Sequence, residues 1–245
     1  MYSVSGFASL KSGAFGAVLV LSACATNAVD PVVPEQRMTC LAPIEVYGTR
    51  ASVKAEGFAE SVRLPSIRSA PTMIGYGPSA GYKDELTVID GVFHIATARR
   101  DNQVTLSHAV SQDSGAAFLV TSSPKTWTTM PGPERIDGLS GLEAQLTAAA
   151  QSYGCGGAVA FSFKVTGLVS SANWSVVGRP TGAEGVLANE HVEIVGIYAD
   201  DTDDIYFIPE GRLIHAHIRS FDSPITAHLN AFDRLTEVSI SVGMF

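Results

Sequence analysis

The residues best suited to chemistry are three histidines between Gly211 and His228, half of the six in the chain. Leu213, His215 and His217 alternate with Arg212, Ile214, Ala216 and Ile218. That two-residue period is the period of a β-strand, and it points His215 and His217 to one face. Asp222-Ser223-Pro224 reads as a turn, because Asp and Ser bond their own backbone and Pro pre-sets its φ. If the chain folds back about Asp222 and Ser223, His217 faces His228 on the returning strand, with Cβ atoms roughly 5 Å apart. Three imidazoles on one point leave a coordination position for water or substrate, the ligand pattern of a catalytic zinc ion. A His-x-His pair alone is more simply two surface or hydrogen-bonded histidines. The third ring, set opposite by the turn, moves the reading to metal.

The elements that must position these rings are mostly strands. Glu85 to Ile89 and Val92 to Ala96 flank Asp90-Gly91, the pair suited to the positive φ angles of a type I′ hairpin, with Glu85 at the start of the first strand. Further strand-like runs cover residues 104–110, 116–121, 158–165, 174–177 (leading to Arg179), 192–198, 205–208 and 238–242. The persuasive helix spans about Gly141 to Ser152. Ser140 and Glu143 suit a capping box there, Leu139, Leu142 and Leu146 recur at helical spacing, and Gly154 can end it. Residues 44–64 carry no clear period, and residues 65–82, rich in Pro, Gly and Ser, read as loop. One helix among many short strands predicts an α+β, sheet-dominated fold with mixed or antiparallel sheets and few helices. The acidic run Asp200 to Asp204 lacks the glycine and terminal glutamate of an EF-hand and reads as a solvated turn. His94, His108 and His191 stand alone in sequence and read as structural or exposed.

Composition narrows the classes. The chain has 245 residues, of which 46% are apolar and 16% charged, which suits compact domains rather than a disordered or fibrous chain. Its formal net charge is −8 and it has no run rich in Lys or Arg, which argues against binding nucleic acid through its phosphates. At the N-terminus, Lys11 precedes an apolar run from Ala14 to Leu21, too short to span a bilayer and suited to the core of a signal peptide. Leu21-Ser22-Ala23-Cys24 resembles a bacterial lipobox, whose cysteine is lipidated after cleavage. The expected division is a leader at 1–23, a proline-bearing tether at 24–45 and a domain at 46–245. The chain would then sit at the periplasmic face of a bacterial membrane, held through Cys24. In that oxidising compartment a Cys40–Cys155 disulfide is permitted but not required.

Several segments, taken in order from about residue 75 to residue 232, resemble the α-acetolactate decarboxylase family. His215-Ala216-His217 and His228 match its histidine signature, His-x-His followed after ten residues by a third His. Glu85-Leu86-Thr87-Val88-Ile89-Asp90-Gly91-Val92-Phe93 resembles its Gly-Glu-x-x-x-Leu-Asp-Gly-x-Phe segment, with Asp84 in place of the glycine. Val195-Gly196-Ile197-Tyr198 looks like the strand that precedes the signature. Residues 142–146 and 160–167 resemble a helix and strand of the family. Arg179 falls near its active-site arginine, although Pro-Thr-Gly-Ala follows it here. The family's late glutamate has Glu237 as its nearest counterpart.

The resemblance implies a fold, an activity and roles. His215, His217 and His228 would hold Zn2+, Arg179 would bind the substrate carboxylate, and Glu85 would transfer a proton or contact a substrate hydroxyl. The substrate would be a small 2-hydroxy-3-keto acid, 2-acetolactate, and the product acetoin. A homodimer is also implied. Two other readings stay open: a zinc-dependent ester hydrolase on the same scaffold, and a non-catalytic, lipid-anchored binding domain.

Overall fold

The computed structural model describes residues 42–153, 159–200 and 204–244. In chain order the strands are β1 (Ile44–Tyr47), β2 (Val62–Arg63), β3 (Ile74–Pro78), β4 (Glu85–Ile89), β5 (Val92–Ala98), β6 (Val104–Ser107), β7 (Gly115–Ala116) and β8 (Leu119–Ser122). They continue with β9 (Thr126–Met130), β10 (Arg135–Asp137), β11 (Ala160–Val176), β12 (Ala183–Ala199), β13 (Ile214–Ser220), β14 (Thr226–Phe232) and β15 (Arg234–Met244). Two α-helices, α1 (Arg50–Ala55) and α2 (Gly138–Ser152), accompany them. The fold is α+β and sheet-dominated, as expected.

Two large sheets carry the architecture. The first runs β1-β8-β3-β4-β5-β6, and the second β10-β15-β11-β12-β13-β14, with β9 added beside β15. In the second sheet β14 also pairs with the far half of β11, Ser175 opposite His228, so strands β11 to β14 close on themselves. Apolar side chains from this sheet and α2 form the largest core, including Leu142, Leu146, Phe161, Phe163, Ile194 and Ile218. A second cluster joins the sheets, with Ile74, Tyr76 and Ile89 from one and Val195 and Ile197 from the other. This second contact zone is where the histidines lie.

The hairpin of β4 and β5 forms where Asp90-Gly91 places it, with φ of 52° and 77° at those two residues. Elsewhere, tertiary contacts override local pattern. Residues 74–78, expected to be loop, are the fully buried strand β3. Its glycines are there for close approach: a Cβ on Gly75 would lie 2.6 Å from the Val120 carbonyl oxygen, and one on Gly77 2.2 Å from that of Phe118. The capping box expected at Ser140 and Glu143 does not form, because α2 begins at Gly138 behind Asp137, which makes no side-chain cap. The Glu143 carboxylate is instead buried, accepts the Leu213 N–H at 2.8 Å and ion-pairs with Arg212 at 3.1 Å. The featureless stretch 44–64 holds β1 and α1, whose capping box is Thr49 with Ser52.

Runs that looked like separate short strands fuse into β11 and β12, each 17 residues long. The run at 205–208 begins as a 3-10 turn, Asp204–Tyr206, rather than a strand. Ile44 and Glu45, assigned to the tether, pair with Ser122 and Thr121. The leader with Cys24, both partners of the Cys40–Cys155 pair and residues 201–203 of the acidic run lie outside the described residues.

Candidate metal centre

Strand β13 alternates as its sequence requires. Ile214, Ala216 and Ile218 enter the large core, while His215 and His217 face the first sheet. The turn after Ser220 brings β14 back antiparallel, with His228 directly opposite His217. One ring nitrogen from each of His215, His217 and His228 lies within 4.8 Å of the others. The three rings therefore converge on one region, as the spacing predicts.

Each ring is oriented from behind. His215 Nδ1 lies 2.7 Å from the Phe207 carbonyl oxygen. A carbonyl only accepts, so Nδ1 carries the proton and Nε2 presents a lone pair. His217 Nδ1 lies 2.6 Å from the Thr87 hydroxyl, and its Nε2 is buried with no hydrogen-bond partner among the described residues. His215 Nε2 and His228 Nδ1 are 3.1 Å apart, a separation at which two lone pairs need a proton or a cation between them. Burial holds His215 and His217 well below the usual imidazole range, and lowers His228 to about 4. Three neutral imidazoles and one orphaned buried nitrogen fit a divalent ion.

The first sheet supplies the floor. Tyr76 on β3 stacks on His215 with ring centroids 4.0 Å apart, and its buried hydroxyl donates to the Tyr206 carbonyl at 2.7 Å. Glu85 and Thr87, two residues apart on β4, share a face. Glu85 is 4% exposed, so it is not a solvated strand-start carboxylate. Its Oε1 lies 3.5 Å from His217 Nε2, and its Oε2 accepts the Val177 N–H at 3.1 Å. Burial pushes the Glu85 carboxyl up to about 8, against the lowering effect of that hydrogen bond. Asp84, the residue standing where the family pattern has glycine, knots the turn before Glu85. It accepts from the hydroxyls of Ser79 and Thr97 at 2.9 and 2.6 Å, and its N–H donates to Ser79 Oγ.

Arg179 follows β11 and is exposed, its guanidinium 5.2 Å from the centroid of the Phe58 ring. It ion-pairs with no carboxylate among the described residues, while Tyr82, packed on the other partner Phe58, feels the charges of both Glu85 and Arg179. Glu237 is not brought to the triad. It is exposed and lies 3.7 Å from His191, which also meets Asp222 at 3.6 Å. His94 and His108, far apart in sequence, meet edge to face at 4.5 Å.

No family sequence model and no curated protein sequence matches the chain. Solved structures do match its shape. Acetolactate decarboxylase from Bacillus subtilis subspecies spizizenii superposes with a TM-score of 0.62 at 14% identity, over 82% of this chain and 86% of that one. The alpha-acetolactate decarboxylase of Bacillus subtilis strain 168 gives 0.62 at 13%, over 82% and 85%. The fold is that of the acetolactate decarboxylases. A Staphylococcus aureus protein of unknown function, similar to alpha-acetolactate decarboxylase, shares this decarboxylase fold with a TM-score of 0.59 at 12% identity, over 82% and 85%.

Sequence reading named the triad and Glu85 but missed what surrounds them in the decarboxylase fold. Thr87 was open to discovery, since strand period places it beside Glu85. Tyr76 was hidden in a segment read as loop. Phe207 acts through its backbone carbonyl, for which side-chain type gives no signal.

Proposed function

We propose that this protein is a divalent-metal-dependent decarboxylase of small 2-hydroxy-3-keto acids, converting 2-acetolactate to acetoin. The observation that carries the reading is the buried three-histidine cluster with the Glu85 carboxyl 3.5 Å from His217. His215, His217 and His228 would hold the ion, with zinc the metal that a neutral imidazole set favours. When bound, such an ion supplies a Lewis acid for the charge that develops on substrate oxygens as carbon dioxide leaves.

The chain's own groups account for the remaining needs. Phe207 and Thr87 fix the ring orientations of His215 and His217, so the lone pairs are set before any ligand arrives. Arg179, with no acidic partner among the described residues, would orient the substrate carboxylate through its guanidinium fork. Glu85 is the group suited to contact the substrate hydroxyl and to deliver a proton to carbon after carbon dioxide departs. The buried Tyr76 ring, stacked beneath His215 and His217, keeps bulk water from that side. We further propose, from the apolar run ending in Leu21-Ser22-Ala23-Cys24, that the enzyme is exported and lipid-anchored.

Acetoin release from racemic acetolactate, measured with and without a chelator, tests the reading. Chelator-sensitive acetoin formation is the expected result. Cleavage of a chromogenic ester without acetoin would move the site to the hydrolases, and absence of bound metal after gentle purification would leave a binding domain.

A further inference from the structure

Besides Phe207, whose carbonyl meets His215, two aromatic residues that pack on each other hold backbone conformations that side chains of their kind avoid. Phe58 has φ of 67° and Tyr82 has φ of 59°. An aromatic residue in the left-handed region is an outlier that persists only where its surroundings over-determine it, and such residues gather at ligand sites. Here the surroundings are explicit. The Phe58 and Tyr82 rings pack against each other with centroids 4.3 Å apart. Gly81 N–H donates to the Phe58 carbonyl at 2.8 Å, and Tyr82 N–H to the Ser79 carbonyl at 2.9 Å. Ser79 is in turn locked to Asp84 by backbone and side chain, so Tyr82 rides on the same knotted turn that delivers Glu85 into β4.

Neither polar end of this assembly has a partner among the described residues. The Tyr82 hydroxyl makes no hydrogen bond to a described residue, and Arg179, resting over the Phe58 ring, makes no salt bridge to one. The partly buried cations of this fold are paired, Lys164 and Arg219 with Glu193 and Arg212 with Glu143, whereas Arg179 reaches solvent. Tyr82, which feels the charges of both Glu85 and Arg179, and the exposed Arg179 guanidinium share the Phe58 ring, a hydroxyl and a cation suited to a carboxylate.

We propose that Tyr82 is a specificity-determining residue of the site, its hydroxyl donating to the carboxylate of the bound acid alongside Arg179, with Phe58 fixing the spacing of the two donors. The inference rests on the decarboxylase reading above and names a contact that the reading did not contain. Its chemical sense lies in the fate of the carboxylate. That group loses its charge as carbon dioxide forms, so a second full cation would grip the ground state more than the transition state. A neutral hydroxyl supplies direction with less of that grip. Burial and the nearby Glu85 both raise the Tyr82 pKa, which keeps the hydroxyl a donor.

Calorimetric titration of the zinc-loaded full-length protein tests this with two probes. One is the dihydroxy acid made by reducing the ketone of acetolactate, which has no ketone to accept the electrons of decarboxylation. The other is butanediol, which lacks the carboxylate. Wild-type protein should bind the acid more tightly than the diol. Tyr82→Phe, which keeps the ring on Phe58, should bind the acid roughly tenfold more weakly and the diol unchanged, the loss expected of one hydrogen bond to a charged group. Phe58→Leu should also weaken the acid selectively, since the platform is lost. Equal acid affinity in wild type and Tyr82→Phe overturns the role of Tyr82 while leaving the decarboxylase reading intact. No acid affinity in the wild type overturns both.

Discussion

The carboxyl of Glu85 and the imidazole of His217 stand 3.5 Å apart although they belong to different sheets, one on β4 and the other on β13. Beside that contact, Thr87 on the same β4 face reaches His217 Nδ1 at 2.6 Å. The histidine-bearing strands and the acid-bearing strand thus form one centre only because the two sheets pack face to face.

Removing one imidazole should empty the site. The wild type is expected to hold about one zinc ion per chain and His217→Ala near zero, since a three-ligand site loses its geometry with any member. Elemental analysis of dialysed protein measures this, and thermal denaturation with and without chelator should show a metal-dependent shift in the wild type only.

Thr87→Val keeps the shape of the side chain but removes the partner of His217 Nδ1. Zinc affinity should fall by roughly 10- to 100-fold, the usual cost of losing a group that orients a metal-bound histidine. Competition against a chromophoric chelator gives the ratio directly.

Glu85→Gln preserves the volume and can still accept the Val177 N–H, but it cannot transfer a proton. Acetoin formation should drop by about 10²- to 10⁴-fold with zinc content unchanged. Retention of full activity would remove Glu85 from the chemistry.

Gly196 on β12 lies opposite Ala216 of β13, and a Cβ there would sit 2.3 Å from the His215 carbonyl oxygen and 2.8 Å from Phe163 Cζ. Gly196→Ala should therefore cost about 1 to 3 kcal/mol or more in urea denaturation, as overpacking does, and weaken zinc binding by displacing His215.

His94 provides a pH test away from the three-histidine cluster. Burial, followed by the nearby His108 and Arg219 charges, lowers its pKa to about 4, against a smaller opposing effect from Asp90. The folded pKa lies below the unfolded value of 6.5, so the unfolded chain takes up a proton first as the pH falls. The stability associated with neutral His94 is complete above pH 6.5 and is lost progressively between pH 6.5 and pH 4. Relative to His94→Gln, the wild type should lose on the order of 2 to 3 kcal/mol across that window in urea titrations.

Much of the centre was legible because its information is local. The two-residue period of β13 fixes which face His215 and His217 share, and the Asp222-Ser223-Pro224 turn sets His228 opposite His217. Asp90-Gly91 fixed its hairpin by backbone conformation alone. Glycine-rich β3 was misread because its two glycines answer to the backbone of β8, a neighbour that composition cannot reveal. Glu143 was assigned to a helix cap by its spacing from Ser140, yet its partners Leu213 and Arg212 arrive from the other side of the core.

The sequence by itself therefore determined which imidazoles converge, since strand period and turn chemistry act within a few residues. Only the tertiary structure decided that Glu85 is buried against them, that Phe207 and Thr87 orient the rings, that Arg179 rests on Phe58 beside Tyr82, and that Glu237 pairs with His191 instead. Those relationships arise from sheet-on-sheet packing, whose contacts join residues with no fixed separation along the chain.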